Sequence, residues 1–456
     1  MLMFFVQKFN DIDHFSPIIY RIAKDTNREI YILSLNPYNN INDDFRVRYL
    51  LDNFENVKCN ILFDTYTPTW RYKFFSFLLC KPLINNLRSS IISLIKKSDE
   101  RIKYRFTDRV SRILPGIFRY LLLRYSLNNK FISFAYKKKW YEGFINKYTP
   151  SVMIFDHAAT DRIAGVSPLL NLSKEYLIPT ISLPHGIPLF IKHEVEYDRS
   201  KADYLGNRCD YIVFQHKWWM NECIEYGLDK RKLYVLGSPR HCSEWQNILL
   251  TIVDSTLSDT RSDNSKLKVV YMDSGPDRYK DQKEVAQKAI NEIAELEFVD
   301  FKYKPHTRRN KIHLHVPDNV DVTYDVNSVD LVKWSDVVIG MHSSIMLEVL
   351  VQNKTYISPT QFRNNKMIYE EYNACWIVNS NDELIAALSE INESRDCRKY
   401  DQVDVDKFLA DIVYADKDCK DVLLTHKEFI LKIADNGNQT YKTNENKNFK
   451  REVVHL

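Results

Sequence analysis

Residues 335–355, SDVVIGMHSSIMLEVLVQNKT, decide the predicted fold of this chain. A short β-branched run leads through Gly340 into a polar turn, and an apolar helical pattern follows. The turn holds His342, Ser343 and Ser344. This order predicts a strand, a hydroxyl-rich turn and a helix. Unpaired N–H groups at a helix start suit a phosphate or another anion, whereas in the simpler interpretation a serine of the turn caps a structural helix.

Short apolar runs alternate with helical patterns along most of the chain. The runs that predict strands are 2–6, 29–35, 57–63, 152–155, 180–183, 211–214, 233–236, 268–272, 299–303, 320–324, 337–339, 355–357 and 376–378. Asp11, Asp13 or Ser16 is the predicted cap of the helix after the first strand. Such alternation is typical of parallel sheets with crossover helices. The predicted fold class is therefore α/β, with two Rossmann-like doubly wound domains that face a cleft.

Changes in composition predict the domain boundaries. The N-terminal Rossmann-like domain covers residues 1–254 and includes a basic, aromatic helical insertion at 71–148. The polar stretch 255–265 is the predicted linker. A C-terminal Rossmann-like domain covers 266–435, and the polar tail 436–456 is predicted to be disordered.

The composition excludes several kinds of site. The chain has only 10 glycines in 456 residues and contains neither GxxxxGK[ST] nor GxGxxG, so a phosphate would have to bind at helix ends and polar side chains. Its eight cysteines are dispersed, without CxxC pairs or metal-ligand spacing. Reduced thiols in a cytoplasmic protein are expected. We find no signal-peptide pattern and no apolar stretch long enough for a transmembrane helix.

The basic segment, residues 71–139, has 17 Lys and Arg residues against three acidic ones, a net charge of +14. Its cations alternate with leucines and aromatic residues, as in RYLLLRY. This pattern suits the headgroup region of an anionic membrane. Nucleic acid is the competing partner, but the segment lacks a nucleic-acid motif and we expect none to bind. A solvated basic face around a helical core is the structural alternative.

Polar side chains follow several of the predicted strands. Because the ordinary pKa of a histidine side chain is near ~6.5, His185, in PHGIPLFIK, is a candidate general base for a hydroxyl acceptor, although a structural histidine is the alternative. After strand 299–303 come Lys304, His306, Arg308 and Arg309, in KYKPHTRR. Five basic or potentially basic groups in that stretch can neutralise a diphosphate leaving group, unless the loop is merely solvated.

The remaining candidates are weaker. Ser274 follows strand 268–272, Arg240 lies in LGSPRHC after strand 233–236, and Asp156 follows strand 152–155. His342 in the polar turn and Glu348 in the following helix are further candidates. No metal is expected if cationic side chains and helix ends neutralise the phosphates.

Together these segments resemble the CDP-glycerol glycerophosphotransferase family of teichoic acid and capsule polymerases, which have a two-domain GT-B fold. PHGIPLFIK is similar to that family's HGTPLK segment, LGSPRHC to its GYPRND segment, and the block around residues 335–355 to the block with a DYSS turn. KPHTRRN stands where the family has a His-Pro segment. The departures are His306-Thr307 in place of His-Pro and Met341-His342 in place of Asp-Tyr. KPH followed by a double serine is also similar to bacterial sialyl- and Kdo-transferases.

The resemblance implies a transferase of surface polysaccharide biosynthesis. His185 and His306 would be catalytic, and Lys304, Arg308, Arg309, Ser343, Ser344, Ser274 and Arg240 would bind the donor phosphates. The donor would be nucleotide-activated, with CDP- or CMP-linked compounds favoured, and no separate cofactor is implied. The acceptor, a lipid-linked or free glycan, would bind the N-terminal domain. The enzyme would lie at the inner face of the cell membrane as a peripheral protein.

Two alternatives stay open on the sequence. A sugar-nucleotide 2-epimerase would use the same architecture on a soluble substrate, but the basic segment would then have no purpose. A non-catalytic carbohydrate- or nucleic-acid-binding protein would leave the polar clusters at the strand ends unexplained.

Overall fold

The computed structural model describes residues 1–7, 9–35, 41–66, 136–157, 165–191, 208–253, 257, 265–274, 279, 282–306, 314–324, 326–341, 343–363, 366–415 and 421–452. Most of the basic segment and of the linker 255–265 lie outside these ranges, as do Arg308, Arg309 and His342. Within the described ranges, no helix combines the length and apolarity that crossing a membrane requires.

The first sheet has the strand order β3-β2-β1-β4-β5-β6-β7 among the described residues. Its strands are β1 (Leu2–Val6), β2 (Ile30–Ser34), β3 (Val57–Ile61), β4 (Val152–Asp156), β5 (Thr180–Leu183), β6 (Tyr211–Phe214) and β7 (Leu233–Val235). The pairings from β3 to β6 are parallel. Strands β1 and β4 are buried at every position, because a parallel sheet is covered on both faces.

The second sheet has the strand order β10-β9-β8-β11-β12-β13 among the described residues. Its strands are β8 (Leu267–Met272), β9 (Val299–Lys304), β10 (Asp321–Val322), β11 (Val337–Gly340), β12 (Thr355–Pro359) and β13 (Trp376–Val378). All of its pairings are parallel. The α/β fold with two parallel sheets, predicted from the alternating pattern, is confirmed.

Helices connect most of the strands. The described α-helices are α1 (Phe9–Asp25), α2 (Phe45–Asn53), α3 (Leu62–Thr65), α4 (Lys138–Tyr148), α5 (Val166–Glu175), α6 (Lys217–Glu225), α7 (Ser243–Ile252), α8 (Lys283–Ala294), α9 (Ser328–Trp334), α10 (Ile345–Val351), α11 (Ile368–Glu371), α12 (Asn381–Glu393), α13 (Gln402–Ile412) and α14 (Val422–Glu452). Short 3-10 turns lie at Ile41–Asp43, Lys230–Lys232 and Thr360–Phe362.

Both sheets reverse the direction in which strands are added. In the first sheet, β2 and β3 lie on one side of β1, whereas β4 begins the other side. In the second sheet, β9 and β10 lie on one side of β8, whereas β11 begins the other side. At such a switch point the loops after two neighbouring strands diverge and leave a crevice at their carboxyl ends, where ligands bind in open α/β sheets.

The chain forms two compact units. The first comprises Met1–His185, Ser200–Val213 and Lys427–Leu456, and the second comprises Gly186–Arg199 and Phe214–His426. Each has its own apolar core. In the first core the rings of Phe5 and Phe155 stack at 4.7 Å, and in the second those of Tyr271 and Tyr303 stack at 5.7 Å. The boundaries drawn from composition stay a prediction.

Helix α14 includes the beginning of the polar tail. The helix continues to Glu452, and the predicted disorder of residues 436–456 stays a prediction. A polar composition does not prevent a helix when proline is absent, and no proline occurs between residues 422 and 452. Gly437 also packs against another part of the first unit, because a Cβ atom there would come within 2.7 Å of Pro179. The helix is therefore in contact with that unit where the tail was predicted to begin.

Candidate active site

A histidine and two carboxylates meet at the switch point of the first sheet. His185 follows β5, Asp156 ends β4, and Asp11 lies in the first turn of α1, which follows β1. The Nδ1 atom of His185 lies 2.9 Å from Oδ2 of Asp156 and 3.2 Å from Oδ1 of Asp11. We call these three residues, all in the first unit, the His185 cluster.

The backbone holds both carboxylates in place. The second oxygen of Asp11, Oδ2, accepts the backbone N–H of Gln7 at 2.7 Å, which ties the start of α1 to the end of β1. Asp156 pairs with Leu183 across the parallel strands β4 and β5, and the next residue, His157, donates its N–H to the Leu183 carbonyl at 2.8 Å. The carboxylates are thus fixed before any ligand arrives.

The His185 cluster favours a charged imidazole. The side chains of Asp11 and Asp156 are 0% and 1% exposed, whereas that of His185 is 28% exposed. Burial by itself would lower the pKa of His185, but hydrogen bonds to Asp11 and Asp156 outweigh burial and raise the pKa to about 9. Because both carboxylates engage Nδ1, the other ring nitrogen, Nε2, is the atom left for a substrate.

A second histidine, next to Asp156 in the sequence, has a lowered pKa, in contrast to His185. His157 is buried, and burial lowers its pKa to about 3, with the positive charge of His185 contributing in the same direction. His157 is therefore neutral over the whole physiological range. Of these two histidines, His185 alone carries charge near neutral pH.

The His185 cluster also contains metal-ligand atoms. One ligand atom from each of its three residues lies within 4.8 Å of the other two, and two carboxylates with an imidazole form a donor set that divalent cations accept. A cation on Nδ1 would have to displace the proton that the carboxylates hold there. The expectation of metal-independent chemistry stays a prediction.

The switch point of the second sheet is lined by hydroxyl and backbone groups. Ser274, after β8, donates its hydroxyl to the carbonyl of Met341, after β11. Ser343 accepts the backbone N–H of Ile345 at 3.3 Å, whereas Ser344 makes no side-chain cap of α10. The contact at Ser343 therefore supports the interpretation that this serine caps the helix. The predicted phosphate role of both serines stays a prediction.

Two candidates from distant parts of the second unit form an ion pair. Nη2 of Arg240 lies 2.9 Å from Oε1 of Glu348, which is only 2% exposed. Nε2 of His241 lies 3.9 Å from the same oxygen, and its Nδ1 atom shares a hydrogen bond with Ser238 at 2.8 Å. The pair fixes the segment after β7 against α10.

The side chain of Lys304 donates hydrogen bonds to backbone carbonyls. Its Nζ atom donates to the carbonyls of Thr323, Tyr324 and Val326 at 3.0, 2.9 and 2.7 Å, and the residue is buried. These contacts hold the chain that follows β10. His306 lies two residues beyond β9. The donor-binding role of Lys304 and the catalytic role of His306 stay predictions.

The structure thus brings Asp156 to His185 and Glu348 to Arg240, two pairings that the sequence did not predict. It also adds Asp11, which the sequence pattern predicts only as a helix cap. Asp11 and His185 are 174 positions apart. The sequence shows that each of the two residues follows the end of a predicted strand. It does not show the strand order, which is needed to know that those strand ends are neighbours.

No protein-family model and no curated protein sequence matches this chain. Several solved structures resemble it over almost their full length. The UDP-GlcNAc 2-epimerase of Neisseria meningitidis bound to UDP-GlcNAc has a TM-score of 0.52 and 10% identity, covering 95% of this chain and 98% of that one. The UDP-N-acetylglucosamine 2-epimerase of Rickettsia bellii has a TM-score of 0.52 and 13% identity, covering 96% and 98%.

A glycosyltransferase of Rickettsia africae has a TM-score of 0.50 and 12% identity, covering 96% of this chain and 98% of that one. Identities this low establish the architecture and leave substrates open. The chain has the two-domain GT-B-like fold that these epimerases and glycosyltransferases share.

Proposed function

We propose that this protein is a GT-B transferase that moves a glycosyl or polyol-phosphate group from a nucleotide-activated donor to a hydroxyl of a glycan acceptor. The observation that carries the proposal is the His185 cluster at the switch point of the first sheet, where His185 Nδ1 is held by two buried carboxylates. An imidazole fixed through Nδ1 presents Nε2 in one orientation, as a general base requires.

In the proposed reaction, Nε2 of His185 takes the proton of the acceptor hydroxyl. The acceptor oxygen forms a bond to the transferred group, and the bond between that group and the nucleotide breaks, with its electron pair leaving on the nucleotide phosphate. This role requires neutral imidazole. With a pKa of about 9, about 1% of His185 is neutral at pH 7, so activity should increase with pH.

The donor is proposed to bind at the switch point of the second sheet. Ser274 and Ser343 lie two and three residues after its two central strands, and hydroxyl groups there can hydrogen-bond phosphate oxygens. The basic groups at the end of β9 and after it, namely Lys304, His306, Arg308 and Arg309, would offset charge on the leaving nucleotide. Arg240, paired with Glu348, would complete the phosphate contacts.

The proposal for the acceptor is based on the family resemblance and on the basic segment. CDP-glycerol glycerophosphotransferases and related capsule polymerases extend surface polysaccharides, so we propose a lipid-linked acceptor and a peripheral position at the inner face of the membrane. Cosedimentation with anionic vesicles, with and without salt, tests the membrane position. Binding that ignores both lipid charge and salt would rule out an electrostatic membrane contact.

The central experiment compares His185→Ala with His315→Ala, a control at an exposed histidine. Each protein is incubated with CDP-glycerol, a CMP-linked sugar or UDP-GlcNAc, together with lipid-linked glycan acceptors, and nucleotide release is measured. We expect one donor to be consumed and the His185 variant to lose about 10²-fold or more in kcat/KM. Unchanged turnover in that variant would show that His185 is not the base.

A sugar-nucleotide 2-epimerase is the second candidate. Two of the three structures described above are named as such enzymes, and a base at the His185 cluster suits proton abstraction from carbon as well as from oxygen. Incubation with UDP-GlcNAc in D₂O without acceptor separates the two. Deuterium incorporated into the sugar, with no nucleotide released, would favour the epimerase over the transferase.

A further inference from the structure

The second unit contains a pocket that no function discussed so far uses. It has a volume of about 470 Å³, within the range of roughly 300–1,000 Å³ typical of small-molecule sites. Its walls are α6, the segment from Pro188 to Ile191 and the start of α11. All of the described residues that line it belong to the second unit.

Backbone contacts hold these walls together. The carbonyl of Leu189 accepts the N–H of Ile368 at 2.8 Å, and Phe190 pairs with Met367 in an antiparallel bridge. His216, the N-cap of α6, places its Nε2 atom 3.1 Å from the Pro188 carbonyl. The walls of the pocket are therefore held in place by contacts within the chain, and such preorganisation reduces the free-energy cost of binding a ligand.

An exposed tryptophan forms one side of the pocket. Trp218 is 42% exposed, which is unusual for so large an apolar side chain. Its Nε1–H donates to the Tyr372 hydroxyl at 3.3 Å, and that hydroxyl donates to Oδ2 of Asp411 at 2.8 Å. The edge of the indole is thus tethered while much of the side chain remains accessible.

The polar lining selects against anions. Among the described residues that line the pocket are Glu222, Glu225, the amide of Asn221 and one lysine, Lys217. The two carboxylates and one ammonium of these described residues give a net negative lining, which repels phosphate. A ligand with an apolar face for Trp218 and hydroxyl groups for the carboxylates and the amide fits this lining, and a pyranose ring has both features.

We infer that this pocket binds a neutral sugar ring of the acceptor glycan. That the sugar belongs to the acceptor rests on the proposed transferase function, but sugar binding itself does not depend on catalysis. Pro188 lies three residues after His185 in the sequence, so the chain segment that carries the candidate base continues directly into a wall of the pocket.

The test measures binding to the full chain without donor. Saturation-transfer NMR is recorded with the methyl glycosides of glucose, galactose, mannose and N-acetylglucosamine, and with choline and inorganic phosphate as cationic and anionic probes. We expect at least one glycoside to bind with a Kd near 1 mM, as is common for single sugar rings, and Trp218→Ala to weaken it at least tenfold, which is about 1.4 kcal/mol. Trp218→Phe should retain most of the binding.

The control is Trp334→Ala, which removes a tryptophan of the same unit that does not line the pocket; it should bind like the wild type. Three results would each overturn the inference. They are glycoside binding that Trp218→Ala leaves unchanged, binding of choline or phosphate in place of sugar, and no glycoside binding at all. In the transfer assay, Trp218→Ala should raise the acceptor KM and leave the donor KM unchanged. If glycosides bind but no donor is turned over, the pocket stands and the proposed function fails.

Discussion

The two switch points of this protein occupy equivalent places in their sheets and differ in chemistry. At the first, between β1 and β4, ionisable side chains meet directly, with His185 between Asp11 and Asp156. At the second, between β8 and β11, hydroxyl groups donate to a backbone carbonyl and to a carboxylate, as from Ser274 to Met341 and from Tyr279 to Asp273. The same fold element thus holds an imidazole between two carboxylates in one sheet and hydroxyl groups in the other.

The difference arises from where each sheet places its charges. In the first sheet the charged groups form the candidate site itself. In the second sheet the ammonium of Lys304 is bonded to backbone carbonyls, and the guanidinium of Arg240 is paired with buried Glu348. We therefore expect substitutions at the first switch point to affect rate and pH dependence, and those at the second to affect stability and donor affinity.

The largest expected effect is at Asp156. Asp156→Asn keeps the size of the side chain but removes the charge nearer to His185 Nδ1, so the imidazole loses both its orientation and its stabilised charge. We expect kcat/KM to fall by about 10²-fold or more at the pH optimum, measured as nucleotide release. The matched control is Asp229→Asn, an acidic residue in an exposed ion pair. Equal activities of the two variants would contradict the proposed role of the cluster.

The pH dependence follows from the raised pKa of His185. The base form is neutral, so kcat/KM should rise about tenfold per pH unit below pH 9 and level off above it. Asp11→Asn removes one of the two carboxylates that stabilise the imidazolium, so it should lower the pKa and move the midpoint of the profile below 9. NMR titration of the His185 ring checks the same shift. A midpoint that moves upward would refute the assigned electrostatics.

A smaller effect, on stability, is expected at the second switch point. Glu348→Gln leaves the partly buried guanidinium of Arg240 without its counter-charge, which should lower the free energy of unfolding by about 1–3 kcal/mol. Urea denaturation measures this. The control is Arg231→Ala, which breaks a surface pair with Asp229 and should cause no measurable change. A similar stability loss in both variants would mean that burial of the Glu348 pair is irrelevant.

The smallest effect is expected at the hydroxyl turn, and it decides between the two interpretations of that turn. Ser343→Ala removes an acceptor of the Ile345 N–H and should cost about 0.5–1 kcal/mol of stability, whereas Ser344→Ala should leave stability unchanged. A raised donor KM in either variant would support phosphate binding. Loss of stability at Ser343 with no change in donor KM in either variant would leave the serine as a helix cap alone.

Much of the fold could be predicted from the sequence because buried parallel strands are short, uninterrupted apolar runs. The predicted strands at Thr180–Leu183, Tyr211–Phe214 and Trp376–Val378 have the same bounds in the structure. Strand β10 is shorter than its predicted run at 320–324. At the edge of the sheet it has a partner on one side only, so the apolar pattern overstates its length.

The site could be predicted only in part. His185 and Asp156 were recognisable because each follows an apolar run at a strand end. The contact between them depends on β4 and β5 being neighbours, and the contact with Asp11 depends on β1 being next to β4. Strand order is set by tertiary packing and leaves little trace in local sequence. The same holds for the ion pair of Arg240 and Glu348, which are 108 positions apart.

The discontinuous first unit has a consequence for synthesis on the ribosome. Lys427 bonds to Asp25 at 2.7 Å and Asp435 to Arg28 at 2.5 Å, so α14 contacts the end of α1 and the residues that follow it. Strands β1 to β5 are translated long before α14 emerges, and the apolar surface that α14 covers stays open during that interval. Folding of the first unit can therefore finish only after the residues of α14 have been made, and nascent chains should depend on chaperones for longer than the order of their strands suggests.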